Sequence, residues 1–307
     1  MKYKILEGNV VDRLKDLEDE SVNCCVTSPP YWNLRDYGNE NQIGLEDTPD
    51  EFIEKLVKVF SEVRRVLKND GTLWVNIGDS YAANRSQQVS PSKWSALDFG
   101  SSNATKVPEG LKPKDLVGIP WMLAFALRRN GWYLRQDIIW HKPNTMPESV
   151  KDRCTKAHEY IFLLAKSEKY YYDSSSIAEP TVTNSLSIRD RDVSKLNNTP
   201  GRTRMGGLKT NNYETRNKRS VWSIATQSYR EAHFATFPEK LVESCILAGC
   251  PENGLVLDPF SGSGTTGVVS IRNNRNYVGI ELNPTYVELS HQRIEKSCGF
   301  LAEREDQ

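Results

Sequence analysis

The 307 residues carry 40 Lys and Arg against 40 Asp and Glu, a formal charge of zero, and 38% of them are hydrophobic. That is the composition of a soluble globular protein, sized for one large α/β domain with an insertion or for two small domains, and it argues against a surface wholly coated for nucleic acid. No apolar run is long enough to span a bilayer, and residues 1–14 lack the apolar stretch and small-residue cleavage site of a secretory signal, so the cytoplasm is the expected location.

The first stretch, to about residue 83, alternates strand and helix. Val22 to Thr27 is a short β-leaning run, and Cys24 and Cys25 within it read as reduced core thiols. Thr48-Pro49-Asp50-Glu51 is a capping box with proline at the first helical position. Behind it Phe52, Leu56, Val59, Val63 and Leu67 recur at helical spacing until Gly71, and Thr72 to Ile77 reads as the next strand. Residues 84–112 are rich in Ser, Asn, Gly and Pro without periodicity, as a long loop or lid would be. A helix over Ile119 to Arg129 stops at Asn130-Gly131; Trp132 to Trp140 and Glu159 to Ala165 read as strands.

Residues 168–232 are polar, Asn- and Thr-rich and poor in long apolar runs, and so read as an insertion. Their balance is basic between 186 and 230: Arg189, Arg191, Lys195, Arg202, Arg204, Lys209, Arg216, Lys218, Arg219 and Arg230 face only Asp190, Asp192 and Glu214. Such a segment suits either a face aimed at phosphates or a solvated loop. From 233 to 307 alternation resumes, with a helix over Pro238 to Ala248, a strand over Leu255 to Asp258, a helix over Gly264 to Arg272, a strand over Tyr277 to Glu281 and a last helix opened by Asn283-Pro284. Alternation of this kind predicts an α/β fold with a mostly parallel sheet and helices on both faces. The six cysteines form no C-x-x-C pair and the four histidines are scattered, so no metal site is expected.

Two turns carry the chemistry. Asp258-Pro259-Phe260-Ser261-Gly262-Ser263-Gly264-Thr265 joins a strand to a helix through glycines, whose backbone turns sharply and lets a ligand approach. Glu281 ends a second strand about twenty positions after Gly262, where a carboxylate accepts hydrogen bonds from ribose hydroxyls. Gly262, Gly264 and Gly267 also satisfy G-x-G-x-x-G, so a dinucleotide is the natural competitor. Asp258 and Pro259 oppose it, because a carboxylate there repels a pyrophosphate and welcomes the methionine ammonium of S-adenosylmethionine (AdoMet). The second turn, Ser28-Pro29-Pro30-Tyr31, follows the strand Val22 to Thr27. Its prolines fix φ and remove two N–H groups, leaving acceptors without competing donors. An exocyclic base amine is a double donor, which the Ser28 hydroxyl and Pro29 carbonyl suit, with Tyr31 placed to stack on the base. Alone, the segment would read as an ordinary Pro-Pro turn.

As a set these motifs resemble the β-group (permuted) DNA amino-methyltransferases of bacteria and phages, in which the catalytic S/D/N-P-P-Y turn comes first, target recognition lies in the middle and the F-x-G-x-G turn comes last. The resemblance covers nearly the whole chain. It implies a Rossmann-like AdoMet-dependent methyltransferase fold, with 1–167 as the catalytic half, 168–232 as the target-recognition insertion and 233–307 as the AdoMet half. Ser28, Pro29, Pro30 and Tyr31 match the catalytic motif. Asp258, Pro259, Phe260, Gly262, Gly264 and Thr265 match the AdoMet turn and Glu281 the ribose acid. Thr236 and Phe237, within His233 to Pro238, match the stretch that lines the methionine end, and Thr27 joins the cofactor set. Trp140 to Asn144, Arg153 and His158-Glu159 match the motif beside the flipped base; for His141 and His158 local hydrogen bonding and direct function both stand open.

Two departures count. The family's Gly-Asp near the N-terminus is Gly8-Asn9 here, so Asn9 is expected at the adenine as an amide. Ser28 stands where adenine-N6 enzymes usually have Asp, which favours cytosine N4, with adenine N6 as the alternative. Trp32, Arg35, His141 and Lys142, and Arg189, Arg191, Arg202, Arg204, Lys209, Arg216, Lys218 and Arg219 of the insertion, are the expected DNA contacts. The implied partners are double-stranded DNA and a cognate restriction endonuclease, with the protein a monomer or homodimer. Glutamine methylation in proteins, a non-catalytic DNA-binding module and a nicotinamide dehydrogenase are the competing readings.

Overall fold

Short β-branched runs and amphipathic helical repeats alternate along the chain, and the computed structural model assembles them around one large sheet. It describes residues 1–33, 42–82, 107–181, 214–226 and 237–305. Two compact units result, one of Met1–Asp173 with Ser220–Gln307, the other Ser174–Arg219.

In chain order the first unit holds β1 (Lys2–Glu7), α1 (Val10–Lys15), β2 (Val22–Thr27), α2 (Pro49–Val66), β3 (Leu67–Ile77), α3 (Ile119–Arg129), β4 (Tyr133–His141) and β5 (His158–Ala165). The second unit contains β6 (Glu179–Pro180) and β7 (Thr215–Arg216); the first then continues with β8 (Val221–Ser223), α4 (Glu239–Gly249), β9 (Leu255–Asp258), α5 (Thr265–Arg272), β10 (Asn276–Glu281), α6 (Pro284–Cys298) and β11 (Glu303–Arg304). The strand order is β11-β1-β10-β9-β2-β3-β5-β4-β8. Every neighbouring pair is parallel except those of β5, which runs antiparallel to both β3 and β4. The sheet is thus mostly parallel, as the sequence predicts.

Successive strand side chains point to opposite faces, so the two faces take different helices. Leu73, Val75 and Ile77 of β3 join Phe162, Leu164, Leu257 and Ile280 in a core with Leu14 of α1, Phe52, Leu56, Phe60 and Val63 of α2, and Leu123 and Leu127 of α3. On the other face the Trp74 indole donates to the Thr72 hydroxyl, which in turn donates to the Gly249 carbonyl at the end of α4. A Cβ at Gly249 would lie 2.4 Å from the Trp74 ring nitrogen, so α4 can sit this low only on a glycine. α5 and α6 pack on the same side against β9, β10 and β1.

The Thr48 capping box forms as expected, with the Glu51 N–H donating to the Thr48 hydroxyl and the Thr48 N–H to the Glu51 carboxylate. β3 begins earlier than expected, directly behind α2, because an irregularity after Val22 lets Leu67 pair with β2 ahead of Thr72. Within the stretch 168–232, Val221–Ser223 returns to the large sheet beside β4, so the separate unit is narrower than that stretch. Among the described residues no helix is long and apolar enough to cross a membrane.

In the second unit, β6 and β7 pair antiparallel, and the Glu179 carboxylate takes both Arg216 (3.5 Å) and Arg219 (3.0 Å).

Candidate active site at the carboxyl edge of the sheet

β9, β2 and β3 are consecutive and parallel, and β5 runs the other way, so the ends of β9, β2 and β3 and the start of β5 meet at one edge. That edge therefore receives Asp258, Ser28, Gly78 and Glu159 from four segments distant in sequence. Tyr31 and Phe260, the aromatic residues of the two turns, both pack half-buried on the same core.

Asp258 is fully buried. The Thr27 hydroxyl donates to its Oδ1 (2.7 Å), the Phe260 N–H to the same oxygen (3.1 Å) and the Thr266 hydroxyl to Oδ2 (2.6 Å). Burial raises its pKa to about 6, against these three donors, which lower it. The carboxylate is thus enclosed and hydrogen-bonded at both oxygens. It does not stand open to an ammonium; it ties the residue before Ser28 to the residues on either side of the glycine turn.

Gly262 and Gly264 have φ of 53° and 75°. A Cβ on Gly264 would crowd Ser290 of α6 at 3.0 Å, whereas one on Gly262 would meet nothing nearer than the Phe260 carbonyl at 3.9 Å. Gly264 is therefore a packing glycine, and the turn is open at Gly262. Beside that opening the Glu281 carboxylate accepts from the N–H of Gly262 (2.8 Å) and of Asn283 (2.9 Å). Burial raises its pKa and those backbone donors oppose the shift. The Thr265 hydroxyl accepts from buried Arg293 (2.8 Å), and the Asn9 side chain caps α1 by accepting from the Val11 N–H (2.9 Å). Phe237 is half-buried ahead of α4.

At the other turn the Tyr31 hydroxyl donates to Glu159 Oε2 at 2.7 Å. The Asn76 amide donates to the same oxygen (3.2 Å), and Lys142 forms an ion pair with Oε1. Burial, then the Glu159 charge, lift the Tyr31 phenol well above its ordinary range, while bonds from the Ser28 hydroxyl and the Gly78 backbone act the other way. A Cβ on Gly78 would lie 2.7 Å from the Tyr31 ring and 3.4 Å from the Glu159 carboxyl carbon. Asp79 accepts from the N–H groups of Gly118 (2.9 Å) and Ile119 (3.1 Å) at the start of α3.

Two expected DNA contacts are corrected. Trp32 is 5% exposed, packs in the core and donates its indole N–H to the Glu46 carbonyl (2.9 Å), so its ring cannot receive a base. Lys142 turns inward, its ammonium on Glu159 and 4.3 Å from the centre of the Trp140 ring, because that pair satisfies a charge the sheet edge half-buries. His141 Nδ1 shares a hydrogen bond with Ser223 (3.0 Å), and burial followed by nearby Lys156 lowers the pKa of His158. Lys218 is half-exposed in the second unit. Arg35, Arg189, Arg191, Arg202, Arg204, Lys209 and Thr236, and most of the 84–112 loop, lie outside the described residues. Thr266, Asn76, Gly78 and Asp79 were not among the predicted site residues; the one signal for them was position, immediately after a glycine turn or at a strand's carboxyl end.

A glycine turn open at Gly262 beside the Glu281 carboxylate, tied through buried Asp258 to the strand that carries the Pro-Pro turn, lies at the carboxyl edge of a doubly wound α/β sheet, where enzymes of this class bind their ligands. The chain belongs to the N6/N4 DNA methylase family, whose model matches residues 22–292, and is a DNA methyltransferase. It is 50% identical over 292 residues to the type II methyltransferase M.Cfr9I of Citrobacter freundii, spanning 95% of this chain and 87% of that one. Its fold is similar to the cytosine-N4-specific PvuII DNA methyltransferase, with a TM-score of 0.64 and 19% identity over 100% of this chain and 95% of that one. It is also similar to TTHA0409 of Thermus thermophilus complexed with S-adenosyl-L-methionine, with a TM-score of 0.62 and 23% identity over the whole of both chains.

Proposed function

We propose that this DNA methyltransferase methylates the exocyclic N4 of cytosine in duplex DNA, with AdoMet as methyl donor and the target base rotated out of the stack. The observation that carries the reading is the Thr27–Asp258–Thr266 bridge, which fixes the acceptor turn and the glycine turn side by side on β2 and β9. The residues present fit AdoMet: the turn is open at Gly262, and Glu281 is anchored beside it by backbone donors with its carboxylate available to a ribose. When bound, AdoMet supplies a methyl group on a good leaving group.

The chain's own residues then align and polarise. Ser28 Oγ and the Pro29 carbonyl accept the two amine hydrogens, which favours the pyramidal nitrogen with its lone pair free for in-line attack. Tyr31 takes the face of the base. With the methyl group supplied by AdoMet, the Ser28 Oγ and Pro29 carbonyl would stabilise the positive charge the amine nitrogen gains, and the surplus amine proton would be released to solvent. Ser28 in place of an aspartate supports cytosine over adenine. Residues 168–232 are the proposed target-recognition region, with arginines for guanine edges and lysines for phosphates. The similarity to M.Cfr9I supports a type II modification role alongside an endonuclease.

In vitro methylation of mixed-sequence duplex DNA, followed by nucleoside mass spectrometry and single-molecule sequencing, tests the reading. N4-methylcytosine at one sequence context is the expected product. N6-methyladenine would transfer the assignment to adenine, and the absence of any methylated base with AdoMet present would end it.

A further inference from the structure

The glycine turn is built of small residues, two of them at positive φ, so little within it fixes its shape. One face of α6 holds it from behind. Ser290 and Arg293 are three positions apart and point the same way from that helix. The Ser290 hydroxyl donates to the Gly262 carbonyl (2.7 Å), and Ser290 is the residue that Gly264 packs against. The Arg293 guanidinium is 7% exposed; its Nη1 donates to the Ser263 carbonyl (3.3 Å), the Ser263 hydroxyl (3.0 Å) and the Thr265 hydroxyl (2.8 Å). Its Nη2 donates to Glu239 Oε1 at 3.1 Å. Glu239 is the first residue of α4, directly behind Phe237 and Pro238. One side chain therefore grips the glycine turn with one nitrogen and the entry to α4 with the other.

A cation buried under the start of α5 is poorly placed by itself, because the first N–H groups of a helix carry positive charge and burial strips the guanidinium of water. The Glu239 carboxylate and the three turn oxygens offset this. The planar fork of an arginine reaches two segments at once, whereas an ammonium is a single point of charge. We infer that Arg293 is a positioning residue for AdoMet: through Glu239 it locks the glycine turn to the start of α4, so that the two segments around the cofactor keep one spacing before it binds. This rests on AdoMet lying at the Gly262 opening, as proposed above, and adds what holds that opening in shape.

The test compares AdoMet affinity by calorimetric titration with methyl transfer at saturating AdoMet, using the whole chain. Arg293→Met cuts the brace and Glu239→Ala cuts its link to α4. Each is expected to raise the Kd for AdoMet about tenfold, the size of coupling within one buried network, while kcat at saturating AdoMet stays within about threefold of wild type. The double variant should bind no more weakly than Arg293→Met alone. Arg293→Lys, which keeps the charge without the fork, should not restore affinity. Arg272 also donates to Glu239 (2.8 Å) but does not belong to the turn, so Arg272→Met should leave the Kd within about twofold of wild type. Should Arg293→Met fail to fold, Glu239→Ala, at a half-exposed site, carries the test. Unchanged affinity in Glu239→Ala and Arg293→Met, or an equal loss in Arg272→Met, overturns the inference alone if Glu281→Ala still weakens AdoMet binding. Unchanged affinity in Glu281→Ala as well overturns the placement of AdoMet beneath it.

Discussion

The Thr27 hydroxyl and the Asp258 carboxylate meet at 2.7 Å across 231 positions of sequence, where both residues are fully buried. One hydrogen bond thus joins the strand that presents the acceptor turn to the strand that presents the glycine turn, and Thr266 extends it into α5. The spacing between the two turns is set there, beneath the edge at which both stand.

The same burial makes Asp258 a pH-dependent element of stability. Its pKa in the fold is about 6, against 3.8 as the ordinary value. Below about pH 4 both folded and unfolded chains hold the proton; between about 4 and 6 the unfolded chain ionises first. Asp258 therefore contributes stability that falls as pH rises through this window and is flat above it. Urea unfolding of wild type and Asp258→Asn should show their stability difference changing by roughly 3 kcal/mol between pH 4 and 7, in favour of the variant at the higher pH. A constant difference would contradict the burial argument.

Gly78→Ala tests the packing of Tyr31. The added methyl would stand 2.7 Å from the Tyr31 ring, so the ring must shift. Overpacking of this size costs about 1–3 kcal/mol. The variant should unfold several degrees lower and lose methyl transfer more severely than it loses AdoMet affinity, as measured by calorimetric titration.

Ser28 and Glu281 should separate the two halves of the site. Ser28→Ala is expected to abolish transfer with AdoMet binding intact. Glu281→Ala removes the acceptor for Gly262 and Asn283 as well as the proposed ribose contact, and should weaken AdoMet binding by about tenfold or more. Equal loss of AdoMet affinity in both variants would show that the halves are not independent.

Because Lys142 faces Glu159, it should not count among the phosphate contacts. Each phosphate-bound cation contributes about one unit to the slope of log affinity against log salt. Lys142→Met is therefore expected to leave that slope unchanged in duplex binding, whereas a drop of about one unit would return it to the DNA surface.

Elements carried by local chemistry were legible in the sequence. The Thr48–Glu51 box, the proline-opened helix Ile119–Arg129 and the strand Leu255–Asp258 all announce themselves within a few residues. β8 did not, since three residues become a strand only by lying beside β4. The motif residues fell at one edge, but the partners that orient them come from far away: Glu159 meets Tyr31 across 128 positions and Asn76 across 83. Direction was hidden for the same reason. Trp32 and Lys142 looked like surface contacts because nothing local says which side of a turn or strand end meets the core.

The pairing of β1 with β10 and β11, and of β2 with β9, has a consequence for biosynthesis. β1 pairs only with β10 and β11 among the described strands, and β2, which has β3 on one flank, needs β9 for the other, so the sheet closes only once β9 to β11 have been made and through contacts of very long range, which fold slowly. Any chain stopped before β9 would keep the inner flank of β2 unpaired, an adhesive border prone to capture another unfinished copy. Deletions that remove β9 to β11 are therefore expected to be poorly soluble, because they leave β1 and one flank of β2 without partners.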